Sequence, residues 1–184
     1  MRLVSPWSLP VCGTSVTDLH MARDMAVRMM FWGAFWAFLL DQASKYLVIH
    51  WMGLSQRLAI DVLPPLLNFR YGENTGINFG LFGGGDDASR WVLIVLSLVI
   101  CVALAYWINR SHRSARLMAL AAGLVIGGAL GNVADRLLYG YVLDFLNMSC
   151  CGITNPFVFN VADVFIFAGA AGLILFDRGG KNPA

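Results

Sequence analysis

Asp144 and Asp163 are the two residues with which this sequence can do chemistry. Two carboxylates brought together cannot easily both ionise. One keeps its proton, and the pair can then supply an acid and a base at once. Hydrolysis of a peptide bond by an activated water needs that combination. Further polar groups sit in otherwise apolar surroundings: Asp41, Gln42 and Lys45 in one stretch, Asn132, Asp135 and Arg136 in another, and Asn160 three residues before Asp163. Asp41 and Lys45 are spaced i,i+4, share a helix face and can pair. Asp135 and Arg136 are expected to supply a counter-charge that fixes the local hydrogen bonding, and Asp41–Lys45 to do the same from the first helix. His20, His50 and His112 are scattered, and the chain has neither a Gly-x-Ser-x-Gly elbow nor a His-Glu-x-x-His helix.

The elements that must position these residues are membrane helices. The chain has 184 residues, of which 58% are hydrophobic and 13% charged, with a mean hydropathy of +0.66. Soluble domains carry about 25% charged residues, so this surface is too apolar for water. A net charge of +2 without a long basic run excludes nucleic acid as a partner. Cys12, Cys101, Cys150 and Cys151 lack the paired spacing of a zinc site, and no metal is expected. Four apolar runs of membrane-crossing length cover about residues 27–52, 91–107, 117–138 and 159–176. Arg23, Arg28, Arg110, Arg113, Arg116, Arg178 and Lys181 all fall on one side of four crossings, which makes that side cytoplasmic.

The expected architecture is therefore an all-α membrane protein of four transmembrane helices, with both termini cytoplasmic. Residues 1–22 read as a flexible tail with no assigned role, 23–178 as the membrane domain and 179–184 as a cytoplasmic tail. The outer loop 53–90 reads as a small extracytoplasmic β element. Asp61–Pro65 is expected to turn, 66–71 to form a strand, 72–76 to turn, 77–82 to form a second strand, and 83–87 to be a flexible tip. Gly127, Gly128 and Gly131 stand at near-helical spacing, as close helix packing requires. The third helix runs outward and the fourth inward, so Asp144 and Asp163 meet at the outer face. A charge at mid-helix costs about 2.5–3.5 kcal/mol on the insertion scale, so these groups have a function. Spacing alone leaves two functions open, a protease and a small proton-coupled membrane transporter.

The motifs resemble those of lipoprotein signal peptidases (signal peptidase II). Asp41-Gln42-Ala43-Ser44-Lys45 is similar to that family's first-helix signature, and Asn68–Gly76 continuing to Phe79-Gly80 to its outer-loop signature. Gly127–Arg136 with Gly140–Phe145 resembles its third block, and Phe159–Asp163 its fourth. The blocks occur in the family's order. The resemblance implies an aspartyl endopeptidase of the bacterial cytoplasmic (inner) membrane, with its active site near the outer, periplasmic face. It would remove signal peptides from diacylglyceryl-modified prolipoproteins, cutting before the lipidated cysteine. It implies Asp144 and Asp163 as catalytic residues, Asn74, Asn132, Arg136 and Asn160 as polar residues lining the site, and a more structural role for Asp41 and Lys45. No cofactor is implied. Membrane lipid and globomycin-type inhibitors are the other implied partners. The tail before Arg23 and the segment Asn147–Pro156, with Cys150-Cys151, depart from the general pattern.

Overall fold

The structure, a computed structural model, describes residues 16–76, 85–110, 116–150, 152 and 155–177. Among the described residues five α-helices lie in the order α1 (Val16–Lys45), α2 (Leu54–Arg57), α3 (Gly85–Arg110), α4 (Arg116–Tyr139) and α5 (Val161–Asp177). A π-helical segment, Tyr46–Trp51, extends α1, and three strands complete the fold: β1 (Ala59–Leu63), β2 (Leu67–Asn74) and β3 (Val142–Asn147). Among the described residues α3 (as Asp87–Arg110) and α4 are long and apolar enough to cross a membrane, and Val161–Phe176 of α5 is a shorter apolar helix.

α4 is the central helix, packed chiefly on α1 and α5. Its small residues make that possible. A Cβ added at Gly127 would run into the Ala34 carbonyl oxygen and lie 2.8 Å from the Ala37 Cβ, so only glycine lets the α1 backbone come this close. The faces turned away from α4 are apolar and exposed: Phe31, Trp32, Phe35 and Trp36 on α1, and Val92, Val95, Val99 and Val102 on α3. Exposed apolar area on this scale needs a lipid or protein cover.

The sheet is antiparallel in the order β1-β2-β3 and sits on the helix ends. Its inner face joins the π-helical segment through a core of Val48, Ile49, Leu54, Leu143 and Phe145. The Phe69 and Phe145 rings meet edge to face at 5.7 Å.

Several expectations need correction. Asp61–Leu63 continues β1 rather than turning, because its backbone pairs with Leu67 and Asn68 of β2. Gly72–Asn74 is strand, since β3 supplies partners as far as Val142↔Asn74. The turn starts at Asn74, whose Oδ1 accepts the Gly76 N–H at 3.0 Å, with Gly76 at φ +92. β3 itself was not expected. α1 begins at Val16, so residues 16–22 are helix rather than flexible tail. Helix propagation adds one bond per residue fixed, and Pro10 and Gly13 lie upstream of it. Arg23 fastens this end by donating to Asn109 Oδ1 at 2.9 Å. α3 opens at Gly85, inside the expected flexible tip. The expected strand 77–82 and the tail 179–184 lie outside the described residues.

Replacing Gly127 by leucine should lower stability by about 1–3 kcal/mol or more through overpacking. Thermal unfolding in detergent checks this, and an unchanged midpoint would mean that α1 and α4 are not in backbone contact.

Candidate active site

The polar residues singled out in the sequence form two linked networks where the helices meet the sheet. The first contains both aspartates. Asp144 lies in β3 opposite Gly72 of β2. Strand periodicity turns Asn74 to the same face as Gly72, and Asn74 Nδ2 donates to Asp144 Oδ2 at 3.0 Å. The other oxygen, Oδ1, accepts from Asn160 Nδ2 at 2.6 Å. Phe159 pairs with Leu146 of β3, and this backbone bridge brings Asn160 beside the strand.

Asn160 is also the N-cap of α5. Its Oδ1 accepts the Asp163 N–H at 3.0 Å, while Asp163 Oδ2 accepts the Asn160 N–H at 3.2 Å. This is a capping box, with Asn and Asp in place of the usual Ser/Thr and Glu. Asp163 therefore sits in the first turn of a helix, where the dipole favours a negative charge. Asn132 of α4 closes the ring: its Nδ2 donates to Asp163 Oδ1 at 3.0 Å, and its Oδ1 accepts from Asn160 Nδ2 at 3.1 Å. One asparagine, Asn160, thus bonds both carboxylates.

The second network lies behind the first. Lys45 Nζ contacts Asp41 Oδ2 and Asp135 Oδ2, each at 2.7 Å, with all three side chains at most 3% exposed. Gln42 Nε2 donates to Asp135 Oδ1 at 3.0 Å and to Asp41 Oδ2 at 3.2 Å. Asp41 fits only because residue 131 is glycine; a Cβ there would sit 2.6 Å from Asp41 Oδ2. Asp135 is thus a partner of Lys45 and not the counter-charge for the two aspartates. Arg136 lies within electrostatic reach of Asp144, Asp135 and Asp163. Its Nη1 donates to Asn132 O at 3.3 Å, and its buried Nε has no partner among the described residues.

Two hollows reach this site. One of about 350 Å³ lies beside Asp144, between Gly72–Gly76 and Pro156–Val158. The other, about 250 Å³, lies among α3, α4 and α5, with Leu93, Ile100, Val125 and Ile166 on its apolar walls and Asn132 and Arg136 at its polar end. Sequence reading named every titratable member of both networks. It missed Gln42 as the bridge between Asp41 and Asp135, and it missed the capping box, although the Asn160–Asp163 spacing was the available signal.

Apolar helices that hold two asparagine-linked carboxylates beneath a small sheet define the class, a membrane enzyme with an acidic site. The family described as signal peptidase (SPase) II matches residues 33–177. The lipoprotein signal peptidase of Alteromonas mediterranea is 41% identical over 166 residues, covering 89% of this chain and 88% of that protein. That of Sphingopyxis alaskensis is 37% identical over 154 residues, covering 80% and 87%. A bacterial membrane enzyme solved by the in meso method at 1.9 Å superposes with a TM-score of 0.70 at 26% identity, over 83% of this chain and 94% of its own. The chain belongs to the signal peptidase II family, aspartic-type peptidases that remove signal peptides from prolipoproteins. Membership decides for the peptidase and against the transporter.

Burial pushes the Asp144 carboxyl up from the ordinary 3.8 to about 6, and the charge of Asp163 adds to the rise; Asn74, Asn160 and Lys45 hold it down. Because the folded value lies above the unfolded one, the native state keeps a proton that the unfolded chain has released. The stability this brings is full below about pH 4 and is lost as pH rises through about 6, with a ceiling of about 3 kcal/mol. The unfolding temperature of Asp144→Asn should therefore gain on the wild type as pH rises from about 4 to 7. A difference that does not change with pH would show that Asp144 ionises as freely as in the unfolded chain.

Proposed function

We propose that Asp144 and Asp163 are the catalytic pair, and that the substrate is a diacylglyceryl-modified prolipoprotein cut just before its lipidated cysteine. The observation that carries this reading is the shared asparagine: Asn160 bonds Asp144 through its amide and caps Asp163 through its oxygen and backbone N–H. The two carboxylates are held in one frame, and that frame also distinguishes them. We assign the shared proton to Asp144, whose carboxyl burial pushes up to about 6. Asp163 stands in the first turn of α5, and we assign it the role of base.

Asp163 takes a proton from a water lodged between the carboxyls as that water attacks the scissile carbonyl carbon. Asp144 gives its proton to the carbonyl oxygen, and a tetrahedral diol forms. As the diol collapses, the C–N bond breaks, and Asp163 passes the proton it took to the leaving amine of the cysteine. The second hydroxyl proton returns to Asp144, so the pair ends as it began. The Arg136 guanidinium offsets part of the excess negative charge in the site.

The peptide lies in the hollow between Gly72–Gly76 and Pro156–Val158, beside Asp144. The apolar part of the substrate lies in the hollow among α3, α4 and α5, which ends at Asn132 and Arg136. In this reading α1, α3, α4 and α5 are the four crossings of the bacterial inner membrane, with both termini cytoplasmic and the sheet on the outer face, because the basic residues favour that direction. Globomycin-type cyclic peptides compete for the same groove.

Purified protein in detergent should cut a diacylglyceryl-modified prolipoprotein peptide before the lipidated cysteine. Asp144→Asn and Asp163→Asn should each lower kcat by about 10²–10⁴ while the protein stays folded. Cutting that survives both substitutions would place the active site elsewhere in the same chain.

A further inference from the structure

The buried triad Asp41–Lys45–Asp135 reaches further than its own charges. Asp41 Oδ1 accepts the backbone N–H of Ala162 at 2.8 Å. Asp135 Oδ2 accepts the backbone N–H of Leu143 at 3.1 Å. Ala162 immediately precedes Asp163, and Leu143 immediately precedes Asp144. Each clamp therefore fixes the peptide unit next to one aspartate of the pair. Lys45 Nζ touches both clamping carboxylates at 2.7 Å.

We infer that Lys45 is a positioning residue that couples the two halves of the catalytic pair: through Asp41 it sets α5 and Asp163, and through Asp135 it sets β3 and Asp144. This rests on the assignment of Asp144 and Asp163 as the catalytic pair. The chemistry of the clamps suits the task. The first N–H groups of a helix have no intrahelical acceptor, and α5 receives one from another helix. The Leu143 N–H likewise goes to a carboxylate of α4. Charge-assisted bonds of this kind are shorter and roughly twice as strong as neutral ones. The lysine holds both carboxylates in place, and without it two buried anions would repel each other and shift the elements they grip. A misplacement of about 1 Å costs on the order of 10²-fold in rate.

The test compares Lys45→Met with the wild type on the lipidated peptide, at a temperature well below both unfolding midpoints. The proposal expects kcat to fall about 10²-fold with KM within about threefold, and Lys45→Arg to recover at least a tenth of wild-type kcat. Unchanged kcat in folded Lys45→Met, with only the midpoint lowered, would make the triad a stability device and overturn the proposal. Where Lys45→Met does not fold, Asp41→Asn and Asp135→Asn carry the test, since each keeps an oxygen for its backbone N–H. Both act through Lys45, so the double variant should lose less kcat than the product of the single losses; multiplicative losses overturn the coupling. Asp144→Asn and Asp163→Asn are assayed alongside. If those two are inactive while Lys45→Met is fully active, the inference fails and the catalytic assignment stands. If those two cut normally, the assignment fails and takes the inference with it.

Discussion

A lysine amine with two carboxylates, shut away from water where helices and sheet meet, is the interaction on which the rest of this structure depends. Lys45 is 3% exposed and Asp41 and Asp135 are 0% exposed. Charges so deeply buried are tolerated only when paired and hydrogen-bonded. The triad is hydrogen-bonded by Gln42 of α1, which also donates to the Gly131 carbonyl of α4, and by the backbone N–H groups of Leu143 in β3 and Ala162 in α5. Breaking such a group by removing one partner typically costs about 3–5 kcal/mol. The triad therefore constrains α1, α4, β3 and α5 to one mutual arrangement, which greasy contacts alone do not do, because apolar surfaces slide at little cost.

The small residues of α4 serve the same end. Gly127 brings α1 close enough for the Asp41 and Lys45 side chains to reach across, and Gly131 leaves the space that the Asp41 carboxylate fills. Close packing in apolar surroundings relies on backbone approach, since lipid tails are as apolar as the side chains they would replace. The sheet then closes the open end. Its apolar inner face is held by the π-helical turn that follows Lys45 directly, so one end of α1 carries both the charge centre and the seat for the sheet.

The two aspartates differ because they stand on different kinds of structure. Asp144 is on a strand, buried, facing two side-chain amides and a second negative charge. Asp163 is in the first turn of a helix, inside a capping box. The proposed roles of acid and base for two residues of the same type need such a difference in surroundings. Among Asp41, Asp135, Asp144, Asp163, Lys45 and Arg136 the negative charges outnumber the positive.

Much of this protein can be read from residue types and spacing. The apolar runs fix the helices, because about 20 consecutive apolar residues have few other stable homes. Isolated polar residues within those runs mark the site, because their burial is costly without a purpose. The i,i+4 spacing of Asp41 and Lys45 gives their pairing, since helix periodicity is local. The sheet was only half legible. β3 is buried on both faces and so shows no alternation, and β2 runs through Gly72 because β3 pairs with it there. Strand pairing is non-local, and no local rule announces it. That Asp135 turns to Lys45, that Asn160 serves both aspartates, and that Asp41 and Asp135 grip the residues before Asp163 and Asp144 were decided only in three dimensions. Each of those contacts joins segments whose relative position is set by packing, and packing is a property of the folded whole.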